Sequence, residues 1–376
     1  MRFDLSGRAS LEVLGDASVE TLFRRQLAPV TPSGAGTATT SVSVVPLDAG
    51  TPMSELQGPA EDGLTTGRAG DGDDEGFVTW DGRRCTIPNL LEGGSTFRYE
   101  AGFPLWRLVR MAIRPALQIE PAVSGRAAAL HAASVTLDGG AIVVAGWAES
   151  GKTEVALALM ERGASFLSDK WTFVGRQDLE ASMFPISVGV RRWVLEYLPT
   201  LRGAATNRSK AQFAAARAAG LVLGPLGRRR SRTRAGALIP GMARQVAALG
   251  DRASFEIDEL RAAYGQHDDP LRRARIRLLV LLITTPNDTV RLRALEPAEL
   301  ATRLARTAAY ERRGYLNLLQ RLAYFDPTAA AFPTDAAIQA DTGVLGDVCR
   351  GVDVVAVEAP FPADPGRVAD AILARA

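Results

Sequence analysis

The chain has 376 residues, with 44 Lys and Arg against 42 Asp and Glu, and is 47% hydrophobic. It is long enough for a large core and two domains, and its balanced charge carries no footprint for nucleic acid. Two cysteines, Cys85 and Cys349, and two histidines make neither a disulfide framework nor a metal cluster, and aromatics at 6% offer no base-stacking surface.

The opening Met1-Arg2-Phe3-Asp4-Leu5-Ser6-Gly7 is not the apolar core of a signal peptide; with so few cysteines this predicts a cytoplasmic setting. Residues 9–14 and 40–45 alternate as strands, with a helix over 17–27 between them. Residues 59–76 are acidic, Gly-rich and without periodicity, and are expected as a surface loop. Residues 76–80 and 84–87 flank Asp81-Gly82, a hairpin pattern. A further strand is expected at 96–99. Apolar residues at 106, 108, 109, 113 and 117 predict an amphipathic helix over 106–119.

From 127 the pattern changes. Ala127-Ala128-Ala129-Leu130-His131 leads into a strand, an Asp138-Gly139-Gly140 turn and a second strand over 141–145. Then comes Gly146-Trp147-Ala148-Glu149-Ser150-Gly151-Lys152-Thr153, a full match to the phosphate-loop pattern G-x-x-x-x-G-K-[ST]. Glu154 opens a helix of buried type that Gly163 stops. Residues 165–170 predict a strand with a polar tip at Asp169-Lys170, continued in extended form over 171–174.

Residues 203–236 are rich in Arg and Ala, with a basic core at 228–234. A solvated loop is the plain expectation and a flap over phosphates the functional one. Strands are expected at 254–257, 276–284 and 353–357, and helices at 297–306, 316–324 and 365–376. The apolar run 278–283 is too short to span a bilayer. There is no internal repeat. The whole predicts a mixed α/β chain, with a β-rich region over 1–125 and a nucleotide-binding region over 126–376 that is helical toward its end.

The loop's chemistry follows from its residues. Glycines let successive N–H groups face one anion, and the following helix adds its positive dipole end. Lys152 is placed to reach the β- and γ-phosphates of a nucleoside triphosphate, and the Thr153 hydroxyl to hold Mg²⁺. The chain has only three lysines, at 152, 170 and 210, so Lys152 stands out against an Arg-rich background. There is no Asn-Lys-x-Asp guanine reader and no arginine-finger pattern, which counts against a GTPase switch or an ATPase motor.

With these residues in view, the stretch 131–174 resembles the HPr serine kinase/phosphorylase family and its kinase-like relatives. The matching positions are His131, Gly151-Lys152-Thr153-Glu154, Arg162-Gly163 and Asp169. The resemblance implies a core like the nucleotide domain of phosphoenolpyruvate carboxykinase. It also implies transfer of the γ-phosphoryl group of ATP, with Mg²⁺, to a hydroxyl of a peptide, protein or small molecule. Asp169 then accepts the hydroxyl proton or serves Mg²⁺. Glu154 supports Mg²⁺ or only the helix N-terminus, and His131 stabilises charge or orients the carboxylate. A homo-oligomer is a further implication, since the family is often oligomeric. Two departures stand out. Lys170 replaces the family's second Asp, and the second Gly-rich signature is absent, so neither the phosphorolytic reaction nor HPr as substrate is expected. Lys170 pairs with Asp169 or the nucleotide, touches the transferring phosphate, or marks a nucleotide-binding regulator or scaffold with little catalysis.

Overall fold

The apolar run Leu278-Leu279-Val280-Leu281-Leu282 is buried throughout, as a strand covered on both faces must be. The structure is a computed structural model and describes residues 1–33, 38–47, 53–58, 64–69, 75–204, 252–325 and 334–376. It is mixed α/β, and both large sheets combine parallel and antiparallel pairs.

The first sheet holds β1 (Arg2–Leu5), β2 (Ala9–Leu14), β3 (Thr40–Pro46), β4 (Met53–Gln57), β5 (Thr65–Ala69), β6 (Glu75–Trp80), β7 (Arg83–Thr86) and β8 (Thr96–Tyr99), in the order β1-β2-β3-β8-β7-β6-β5-β4. Strand β3 alternates buried and more exposed residues, the period-2 signature of a half-covered strand. Helix α1 (Ala17–Gln26) packs Val19 and Phe23 into the same core, and the Asp16 side chain caps it by accepting from the amides of Ser18 and Val19.

The second sheet carries the phosphate-loop region. Its strands are β9 (Ala127–Leu130), β10 (Ala132–Leu137), β11 (Gly140–Gly146), β12 (Ser165–Ser168), β13 (Thr172–Gly175) and β14 (Glu180–Met183), joined by strands from later in the chain. Outside it, β15 (Val188–Arg191) pairs with β16 (Arg252–Phe255). The long β17 (Arg273–Thr284) lies beside β11 in parallel; on its other edge it pairs first with β14, antiparallel, and then with β19 (Asp353–Ala359), in parallel. Strand β18 (Arg291–Arg293) pairs with β19. Strands β11, β17 and β19 thus run parallel side by side, and the phosphate loop leaves the carboxyl end of β11, where ligands bind in open α/β sheets.

The helices cover these sheets. Helix α2 (Leu105–Leu108) passes through a π turn, Val109–Ile113, into α3 (Arg114–Val123). The periodicity over 106–119 predicted one regular helix. Pro115 has no N–H to give and its ring crowds the preceding turn, which accounts for the widened turn just before it. Helix α4 (Lys152–Met160) follows the loop, and eight of its nine residues are buried, Thr153 being the exception. Later come α5 (Pro199–Ala204), α6 (Ile257–Ala263), α7 (Pro297–Ala323), α8 (Thr334–Gly351) and α9 (Pro365–Leu373).

Three expectations need correction. Residues 59–76 are not all loop: β5 pairs with β4 and β6, and backbone pairing carries a Thr-Thr-Gly-Arg-Ala segment that has little side-chain pattern. Ile257 begins α6 instead of ending a strand, with Glu256 and Glu259 forming a capping box. The helices expected at 297–306 and 316–324 are one helix, α7. The basic run at 228–234 and Lys210 lie outside the described residues.

One hydrophobic cluster joins the two regions. Phe3, Phe23 and Phe97 of the first pack with Trp171, Phe173, Phe184, Tyr315 and Leu319 of the second. Among the described residues no helix is long and apolar enough to cross a membrane.

Candidate functional site: the phosphate loop and its facing wall

The loop from Gly146 to Thr153 links β11 to α4. Gly146 sits where a side chain cannot: a Cβ there would lie 2.6 Å from Ser150 Oγ and 2.8 Å from the Leu282 carbonyl oxygen. Gly151 has φ 92°, in the left-handed region, and caps α4. Glu149 also adopts a positive φ, 60°. The loop is therefore curled by local sequence, as a nest of amides requires.

Lys152 folds back over this loop. Its Nζ donates to the carbonyl oxygens of Gly146 at 3.1 Å and Trp147 at 2.6 Å. Burial lowers its pKa to about 8, while Asp169, Glu311 and Glu154 favour the charged form. Thr153, at the next position, donates its hydroxyl to Asp169 Oδ1 at 2.7 Å. Asp169 follows β12 and is buried; burial raises its pKa, opposed by the Thr153 hydrogen bond and by Lys170 and Lys152. Its Oδ2 is buried without a hydrogen-bond partner.

Lys170 occupies the turn between β12 and β13 at φ 63°, a left-handed conformation uncommon for a residue with a side chain. The Trp171 amide closes the turn on the Asp169 carbonyl at 2.8 Å. His131 lies between β9 and β10, with its ring 5.7 Å from that of Trp171. Burial, with Lys152 and Lys170 nearby, lowers its pKa to about 3, so the imidazole is neutral at ordinary pH.

These side chains meet at one cavity of about 300 Å³, lined by His131, residues 148–154, Lys170, Gly189, Arg191 and Glu311. Asp169 reaches it through Thr153. The residues singled out from the sequence are thus together: the loop, Glu154, His131, Asp169 and Lys170. Glu154 is buried, and its Oε1 is 3.7 Å from Arg191 Nε. Arg191 also reaches Glu149 Oε1 at 2.9 Å.

Three residues here have no local signature in the sequence. Glu311, on α7, places Oε1 3.4 Å from His131 Nδ1, and its pKa is raised by burial against the pull of Lys152 and Arg313. Tyr310, beside it, stacks on Trp147 of the loop with ring centres 4.7 Å apart. Arg191 comes from β15. All three are more than thirty-five positions from the loop in sequence, and only the folded sheet and α7 bring them in.

Three buried polar atoms at this one site lack a hydrogen-bond partner: His131 Nδ1, Ser150 Oγ and Asp169 Oδ2. Native interiors rarely leave such groups unsatisfied, and three of them lining or adjoining one cavity fit a site completed by a polar ligand. The chain matches no protein-family model, and no curated protein matches it by sequence.

Proposed function

We propose that the protein is an ATP-dependent kinase of HPr-kinase-like type, with a phosphoenolpyruvate-carboxykinase-like P-loop core, that transfers the γ-phosphoryl group to a hydroxyl of a peptide, protein or small molecule. The observation that carries the reading is the Thr153–Asp169 hydrogen bond. It joins the end of a complete phosphate loop to a buried carboxylate, with His131 on the same cavity.

In this reading the loop amides and Lys152 grip the β- and γ-phosphates of ATP, Lys152 giving up its bonds to the loop carbonyls. Mg²⁺, when bound, neutralises phosphate charge. Thr153, Glu154 and Asp169 would hold it, and the unpartnered Asp169 Oδ2 fits a cation. Among the described residues no group of three or more His, Cys, Asp or Glu could hold a metal alone, but Mg²⁺ at a nucleotide site commonly uses one or two protein carboxylates together with phosphates and waters. Asp169 takes the proton of the acceptor hydroxyl as its oxygen bonds to the γ-phosphorus. The bond from that phosphorus to the β–γ bridging oxygen breaks, and a nucleoside diphosphate leaves. Burial, by raising the Asp169 pKa, makes it a better base than an exposed carboxylate. Neutral His131 can donate a hydrogen bond to a phosphate oxygen or steer Glu311.

Incubation with radiolabelled ATP, Mg²⁺ and cell extract tests this. Label should enter an acceptor with wild-type protein and fall at least ~100-fold with Asp169→Asn, within the range typical of a lost general base. Undiminished labelling with Asp169→Asn would remove the assigned role. The second reading, a nucleotide-binding regulator or scaffold with little turnover, is favoured by one feature, the cation Lys170 at a position where the related kinases carry a carboxylate.

A further inference from the structure

We infer that the acceptor is a small molecule carrying an anionic group, phosphate or carboxylate, and that it binds in the cleft beside the phosphate-loop cavity. The inference rests on the kinase reading above and names the substrate class of that site.

The cleft holds about 710 Å³, within the range of pockets that enclose small molecules. Its walls come from both regions of the chain. Arg25 of α1, Arg110 of the π turn and Arg114 of α3 line it together with Lys170 and Trp171 of the β12–β13 turn. Lys170 and Glu311 line both this cleft and the nucleotide cavity, so the two are neighbours sharing a wall. A molecule anchored at the arginines would direct its other end toward the turn that carries Asp169.

The charge of the lining sets the chemistry. Arg312 also borders the cleft, but its guanidinium is engaged with Asp341 and with the Ala308 and Gln118 carbonyl oxygens. The other charged groups of the lining are four cations, Arg25, Arg110, Arg114 and Lys170, and two carboxylates, Glu256 and Glu311. Arg25 and Arg110 are exposed. Arg114 donates Nη2 to the Gln26 carbonyl oxygen, and its Nε is buried without a hydrogen-bond partner. Burial and the neighbouring Arg110 lower its pKa to about 10, against the pull of Glu256. Arg110 and Arg114 repel one another, and a planar fork with a donor to spare suits a carboxylate or phosphate.

The test is calorimetric titration of the full chain, with and without ADP and Mg²⁺, using three probes that share hydroxyls: glycerol 3-phosphate, glycerate and glycerol. A fluorescent ATP analogue, titrated in parallel, reports the nucleotide site. The inference predicts that at least one anionic probe binds ADP-loaded protein and that glycerol does not. Arg110→Glu, at an exposed position, should weaken that binding at least ~10-fold while leaving nucleotide binding and the melting temperature unchanged. Arg25→Ala provides a second, milder reading of the same surface. Which anionic probe binds separates phosphate from carboxylate recognition. The inference is overturned if neither anion binds, or if Arg110→Glu binds them as wild type does. Failure of the ATP analogue to bind wild-type protein would instead sink the kinase reading.

Discussion

Lys170 combines two departures: a cation where the family that residues 131–174 resemble carries a carboxylate, and a left-handed backbone at φ 63°. Backbone strain of this kind persists where the surroundings over-determine it, and it gathers at working sites. Asp is enriched several-fold in the left-handed region, so Lys170→Asp should fold without added strain. The kinase reading predicts that Lys170→Asp lowers transfer in the labelling assay, because the ammonium beside the phosphate is replaced by a repelling charge. A gain of activity from an inactive wild type would identify the native protein as a regulator descended from such a kinase. At this scale the sequence was informative for the loop, since Gly146 and Gly151 stand where the backbone demands glycine and Lys152 folds back over the loop they bound. Glu311 was not legible, because nothing near it in the chain marks it as facing His131.

Helix α7 shows why whole elements escape a pattern reading. Its buried face runs through Leu304, Ala308, Arg312, Tyr315 and Leu319, and the expected helices stopped at 306 and resumed at 316. The missing stretch contains Tyr310, Glu311, Arg312 and Arg313. These break the apolar period because they serve particular partners: Glu311 faces His131, Tyr310 stacks on Trp147, and Arg312 is buried against Asp341 of α8. Helix α8, with Gly343, Gly346 and Gly351 in its sequence, gave too weak a propensity to be read. Arg312 and Asp341 are each 1% exposed at the side chain and tie α7 to α8, and Arg312 also reaches the Gln118 carbonyl of α3. Removing one partner leaves a buried charge alone, so Asp341→Ala should cost about 3–5 kcal/mol in denaturant unfolding. Replacing both with apolar residues of similar volume should recover most of that loss. A single variant as stable as wild type would show that the pair does not brace α7.

Across the whole molecule, two mixed sheets share an apolar cluster, and the phosphate loop sits at the carboxyl end of the parallel trio β11, β17 and β19. The sequence predicted both the β-rich start and the strand, glycine-bounded loop and helix over 141–160, because local pattern governs each. It did not predict that β17 switches partners along one edge, or that α1 and α3 would meet the Lys170 turn across a cleft. Those arrangements depend on contacts between residues far apart in the chain. The central claim is that one cradle of amides and one ammonium hold a nucleoside triphosphate. Its most direct test is equilibrium titration of wild type and Lys152→Ala with a fluorescent ATP analogue and Mg²⁺. Saturable binding to wild type, displaced by ATP and lost in Lys152→Ala, is the predicted result; no saturable binding to wild type, or equal binding by both proteins, would contradict it.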